Sequence, residues 1–175
     1  MKTRHFNLLL ICLIGCLSAC KWFHTDKILV GDRAPDLYVP SASGDTLSLS
    51  AYRGNLVLLH FWASWCAPCR RENPKLVELY SKYRDVPFKN AERLVFFSVS
   101  LDSDRNKWLK AIEDDHLYWD AHGCDLQGWK SPAADSFQVV SIPASFLINH
   151  KGIVIGKDLS PRDLDKLLAS LSEAR

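Results

Sequence analysis

The sequence predicts an α/β fold: a central mixed sheet with helices on both faces, an N-terminal hairpin extension and a central insertion. Three observations carry this. The run 56–62 is a continuous apolar stretch of strand length, as expected of a strand covered on both sides, and 94–101 reads as a second buried strand. Between them Leu76, Val77, Leu79, Tyr80 and Tyr83 recur at helical spacing. Hairpin signals stand near both ends, and helix signals follow each apolar run.

Taken in order, Asp36 to Val39 and the alternating Thr46 to Ser50, joined through Ser43-Gly44-Asp45, read as the hairpin. The first apolar strand feeds its helix through a turn containing Cys66 and Cys69, and Pro74 should bend or restart that helix. After the second strand, Asp102-Ser103-Asp104 can cap a helix carrying Trp108, Leu109 and Ile112. Ser131-Pro132 opens a short helix ending near Phe137. Two strands around Asn149-His150-Lys151-Gly152 make a second hairpin. Ser160-Pro161-Arg162-Asp163 resembles a capping box before the stripe Leu164, Leu167, Leu168 and Leu171, most simply a core face.

With 175 residues, 47% of them hydrophobic, the chain is long enough for one well-buried core and too short for two. Residues 1–19 stand apart from it, because Lys2 and Arg4 precede an apolar run from Leu8 to Leu17 that is too short to span a bilayer. This reads as a signal peptide. Its end, Leu17-Ser18-Ala19-Cys20, resembles the bacterial lipoprotein signal box, which implies lipidation of Cys20. The alternative is an ordinary signal sequence cut elsewhere, with Cys12, Cys16 and Cys20 as tolerated residues. Residues 20–30 then form a tether, and the folded domain runs over 31–175.

The formal net charge is +2, and loss of residues 1–19 removes two basic and no acidic side chains, so the remainder balances. Its cations are interleaved with Asp and Glu rather than clustered, which argues against a nucleic-acid partner.

Beyond the leader and Cys20 only Cys66, Cys69 and Cys124 remain, too few for a disulfide-stapled scaffold. Zinc would need a second ligand pair, and Cys124 with His116 or His122 fits no common zinc spacing. At a helix N-terminus, Cys66 would face unpaired N–H groups and the positive end of the dipole, which favour its thiolate. Cys69, one turn on, would point inward and resolve a mixed disulfide. No metal or cofactor is needed for that chemistry.

The block FWASWCAPCRRENP, with the upstream VGDRAPDL and SGDTLSLSAYRGN and the downstream SIPASFLINHKG, resembles the membrane-tethered thioredoxin-like proteins of the TlpA/ResA type, from about Gly31 onward. The resemblance implies a thioredoxin-like fold and thiol-disulfide exchange. It also implies Cys66 as nucleophile, Cys69 as resolving thiol, Pro143 as a cis-proline facing the disulfide, and Trp65 as the adjoining aromatic. Implied partners are protein disulfides, among them apocytochrome c or oxidised envelope proteins, and a membrane thiol donor that re-reduces the pair. With the lipid anchor at Cys20, the protein would face the periplasm.

Glu72 falls where ResA-type proteins carry an active-site glutamate, a carboxyl that would raise the thiol pKa values and relay a proton. Its plainer reading is a solvated helix glutamate beside Arg70 and Arg71. His60 stands where thioredoxin has a buried aspartate, and is either a base toward Cys69 or a core histidine bonded to backbone. Cys124 reads as a buried inert thiol, and Trp108, Trp119 and Trp129 as core or loop packing. Ala67-Pro68 between the cysteines adds no cation to stabilise the thiolate, so a reductant is expected. Two rivals remain. A peroxiredoxin-like peroxidase would place threonine where Ala63 stands, and a copper carrier of this fold would use CxxxC with a histidine.

Overall fold

The structure, a computed structural model, describes residues 27–173. The expected signal peptide (1–19), the lipidation site Cys20 and most of the tether lie outside the described residues. The end of that tether rests on the domain: Lys157 Nζ donates to the Ile28 carbonyl at 2.9 Å, and the Gly31 N–H donates to that of Val154 at 2.8 Å.

Seven strands and four α-helices are described: β1 (Tyr38–Pro40), β2 (Thr46–Ser48), β3 (Leu56–Trp62), α1 (Ala67–Tyr83), β4 (Leu94–Ser100), α2 (Arg105–Asp114), β5 (Ala121–Cys124), α3 (Pro132–Ser136), β6 (Ala144–Ile148), β7 (Val154–Lys157) and α4 (Pro161–Leu171). The five-stranded sheet has the order β5-β4-β3-β6-β7. Strands β3, β4 and β5 run parallel, whereas β6 and β7 pair antiparallel. Every residue of β3 and of β4 is buried, Ser98 and Ser100 of β4 included, as expected of central strands.

Register sorts side chains between two faces. Leu58 pairs Phe96 and His60 pairs Ser98, so these face the side covered by α1, where Tyr80 packs edge-on to Phe96. Phe61 belongs to the other face and packs against Phe137, just past α3, and against Phe146. Leu164 and Leu168, half of the expected stripe, are buried in α4, which packs on α1.

The structure differs from expectation at three places. Helix α1 runs unbroken through Pro74. A strand the pattern does not announce, β5, carries Ala-His-Gly-Cys without β-branched residues; its place is set by pairing with β4 and by the hairpin. The β1–β2 hairpin closes over β5, with Ser41 bridging Gly123. A Cβ on Gly123 would stand 2.2 Å from Val39 Cγ1, so only glycine allows this approach. The third concerns capping of α2: Asp104 alone serves, accepting from the N–H groups of Asn106 and Lys107, and Asp102 is engaged elsewhere.

Candidate active site

Strand β3 ends at Trp62, and the chain turns through Ala63–Trp65 into α1. Cys66 is the N-cap of that helix, and its Sγ accepts the Cys69 N–H at 3.2 Å. Pro68 sits in the first turn, where a missing N–H costs nothing. Cys66 and Cys69 are joined as a disulfide with Cα atoms 5.3 Å apart. Cys69 is fully buried and Cys66 nearly so.

The Ile142–Pro143 peptide is cis, as the resemblance implies. The Ile142 carbonyl oxygen stands 3.8 Å from Cys66 Sγ, where a reduced thiol can donate to it. Trp65 is 54% exposed, and its ring stands 6.3 Å from that of Trp129, itself 51% exposed. Trp108 and Trp119 are core residues, whereas Trp129 is an exposed loop residue whose ring neighbours that of Trp65, the residue before Cys66.

On the α1 side a cleft of about 330 Å³ opens, lined by His60, Glu72, Pro143, Ser145, Asp158 and Ser160 among others. Glu72 is half-buried, and burial, then the charge of Asp158, pushes its carboxyl above the usual range. Glu72 is therefore not a fully solvated helix glutamate. His60 is 3% exposed, with neither ring nitrogen hydrogen-bonded, so it is not the backbone-bonded core histidine of the plainer reading. Burial, then the nearby His122, lowers its pKa to about 3, which leaves it neutral at physiological pH and a poor base.

The sequence reading missed Ser145, Asp158 and Ser160, contributed by β6 and the loop after β7. No spacing could announce them. Asp158 is placed by a left-handed turn (φ 48°), and its Oδ1 accepts the Ser145 N–H at 2.9 Å. Cys124 is the buried thiol expected, raised in pKa by its burial, with its Sγ 3.4 Å from the Asp102 carbonyl. Among the described residues no group of three or more His, Cys, Asp or Glu is placed to hold a metal. Nor is any described helix long and apolar enough to cross a membrane.

The model of the AhpC/TSA family matches residues 30–157. The thiol-disulfide oxidoreductase ResA of Geobacillus kaustophilus is 42% identical over 169 residues, 94% of this chain and 91% of that protein. The chain belongs to the AhpC/TSA family, among its ResA-like thiol-disulfide oxidoreductases. A second relative, the thioredoxin-like protein YneN of Bacillus subtilis, is 35% identical over 71% of this chain and 68% of its own. A solved thiol-disulfide oxidoreductase from Bacteroides fragilis superposes with a TM-score of 0.72 at 32% identity, covering 79% of this chain and 98% of that one. The fold is thus thioredoxin-like, and this ResA-like protein is an oxidoreductase that exchanges dithiol for disulfide.

Proposed function

We propose that this oxidoreductase is a lipoprotein anchored through Cys20 that faces the periplasm and reduces disulfides of envelope proteins or apocytochrome c, recharged by a membrane thiol donor. The observation that carries the reductive direction is the electrostatic setting of Cys66. No cation lies between it and Cys69, and the first guanidinium along the helix, Arg70, is committed to Asp115 and the Ser64 carbonyl. A thiolate without a cation is less stabilised, so the dithiol gives up its electrons more readily.

In the proposed cycle the Cys66 thiolate attacks one sulfur of the client disulfide, forming a mixed disulfide and releasing the first client thiolate, which takes a proton from solvent. Cys69 then loses its proton to the Glu72 carboxylate and attacks Cys66 Sγ. The Cys66–client bond breaks, and the second client thiolate takes the proton that Glu72 held. Two electrons pass from the pair to the client, leaving the Cys66–Cys69 disulfide for the donor dithiol to reduce. His60 stays neutral throughout, shaping the cleft rather than accepting the proton. Trp65 and Trp129 form the apolar surface on which the client lies, and the Pro143 loop bounds it.

A redox titration tests direction: a midpoint near about −270 mV is expected, and one above about −180 mV would reverse the reading. A Cys69→Ala variant in the native cell should hold clients covalently on Cys66; recovering none from an exported protein would remove the client proposal. Labelled fatty acid should enter the wild type and not Cys20→Ala.

A further inference from the structure

Ser64, two residues before Cys66, has each of its polar groups held from outside the turn. Its N–H donates to Asp102 Oδ2 at 2.9 Å and its hydroxyl to Asp102 Oδ1 at 2.6 Å. Its carbonyl accepts from Arg70 Nη1 at 3.3 Å. Asp102, 1% exposed beyond the end of β4, also accepts from the Ser100 hydroxyl at 2.6 Å. Arg70 is anchored in turn: its Nη2 donates to Asp115 Oδ1 at 2.7 Å, its Nε pairs with the same carboxylate, and Asn73 Nδ2 adds a bond of 2.6 Å. The turn entering the cysteine pair and the helix leaving it are therefore clasped by two carboxylates.

Packing does not ask for this arrangement. Burying a carboxylate is unfavourable unless its oxygens are bonded, and two of the three side-chain bonds Asp102 receives come from one turn residue. That expense is understandable if the turn's geometry matters to the reaction. Closing Cys66 onto Cys69 is intramolecular, and its equilibrium improves when the two sulfurs are held at bonding reach.

We propose that Asp102 is a positioning residue for the exchange reaction: acting through Ser64, it holds the CxxC turn in the ring-closed geometry and favours the disulfide over the dithiol. The clasp thereby makes the reduced pair a stronger reductant. It rests on exchange at Cys66–Cys69, but it concerns an equilibrium constant that is read whichever way the pair runs in the cell, so failure of the reductive proposal leaves it standing.

The test is equilibration of the full-length protein with glutathione in wild type, Asp102→Asn, Ser64→Ala and Ser64→Thr, with thermal unfolding followed in both redox states. Ser64→Ala and Asp102→Asn should each move the equilibrium about tenfold toward the dithiol, a rise of about 30 mV. The oxidised form should lose more thermal stability than the reduced form. Ser64→Thr, which keeps the hydroxyl, should restore the wild-type value. A residue serving only the fold would lower both melting temperatures equally and leave the potential alone. A wild-type equilibrium constant in Ser64→Ala overturns the proposal, and that variant decides the matter should Asp102→Asn fail to fold.

Discussion

Glu72 and His60 reach one cleft from different elements, the carboxyl from α1 and the imidazole from β3, and neither makes a hydrogen bond to the other. Burial acts on both but in opposite senses, raising the acid and lowering the base, so each is pushed toward its neutral form.

For Glu72 the raised value makes protonation favourable in the folded state. Its contribution to stability is full below the ordinary value of 4.5 and is lost as pH rises through the raised one. Glu72→Gln should therefore match wild type near pH 4 and exceed it in urea unfolding at pH 7. The same variant should slow resolution of the mixed disulfide about 100-fold at neutral pH, measured by stopped-flow with a model disulfide. An unchanged rate would remove Glu72 from the proton path.

The two buried histidines have the opposite sign. Burial lowers His60 to about 3 and His122 to about 4, from 6.5. Their contribution is present above pH 6.5 and is lost as pH falls toward those values, at up to about 1.4 kcal/mol per pH unit for each ring. His60→Leu should flatten the decline in unfolding free energy between pH 6 and pH 4.5 by about that slope.

Trp65, which precedes Cys66, and its neighbour Trp129 are both exposed and are not needed by the core. Trp65→Ala should lower kcat/KM for insulin reduction about tenfold, a loss of about 1.4 kcal/mol, while thermal stability stays near wild type. Trp129→Ala should act in the same direction, and the double variant should show a loss that is less than additive because the rings touch one another.

At the far edge, Gly123→Ala should cost about 1–3 kcal/mol, because its methyl would overlap Val39. Val39→Ala in the same chain should recover part of that loss. A double-mutant cycle in urea gives the coupling directly.

Much of this fold is legible in local pattern. The runs at Leu56 and Leu94 announced the central strands because burial on both faces keeps them largely apolar, with only His60 in the first and Ser98 and Ser100 in the second. Ser160 announced α4 because an N-cap acts within one turn, and its hydroxyl does accept the Asp163 N–H at 3.2 Å. Strand β5 escaped notice because its four residues owe their conformation to neighbours distant in sequence. Pro74 misled because the helix is held by its packing against the sheet and α4, which outweighs one lost bond.

By itself, the sequence announced the chemistry: the CxxC turn at the start of a helix admits exchange, and the blocks around it that resemble the TlpA/ResA type selected that reading. The tertiary structure decided what surrounds them. It brought Asp158 and Ser145 to the cleft, Trp129 to Trp65, and Asp102 to Ser64 across 38 positions of chain. It also left His60 neutral. Burial and proximity are properties of the packed sheet, and no residue carries them in its own spacing.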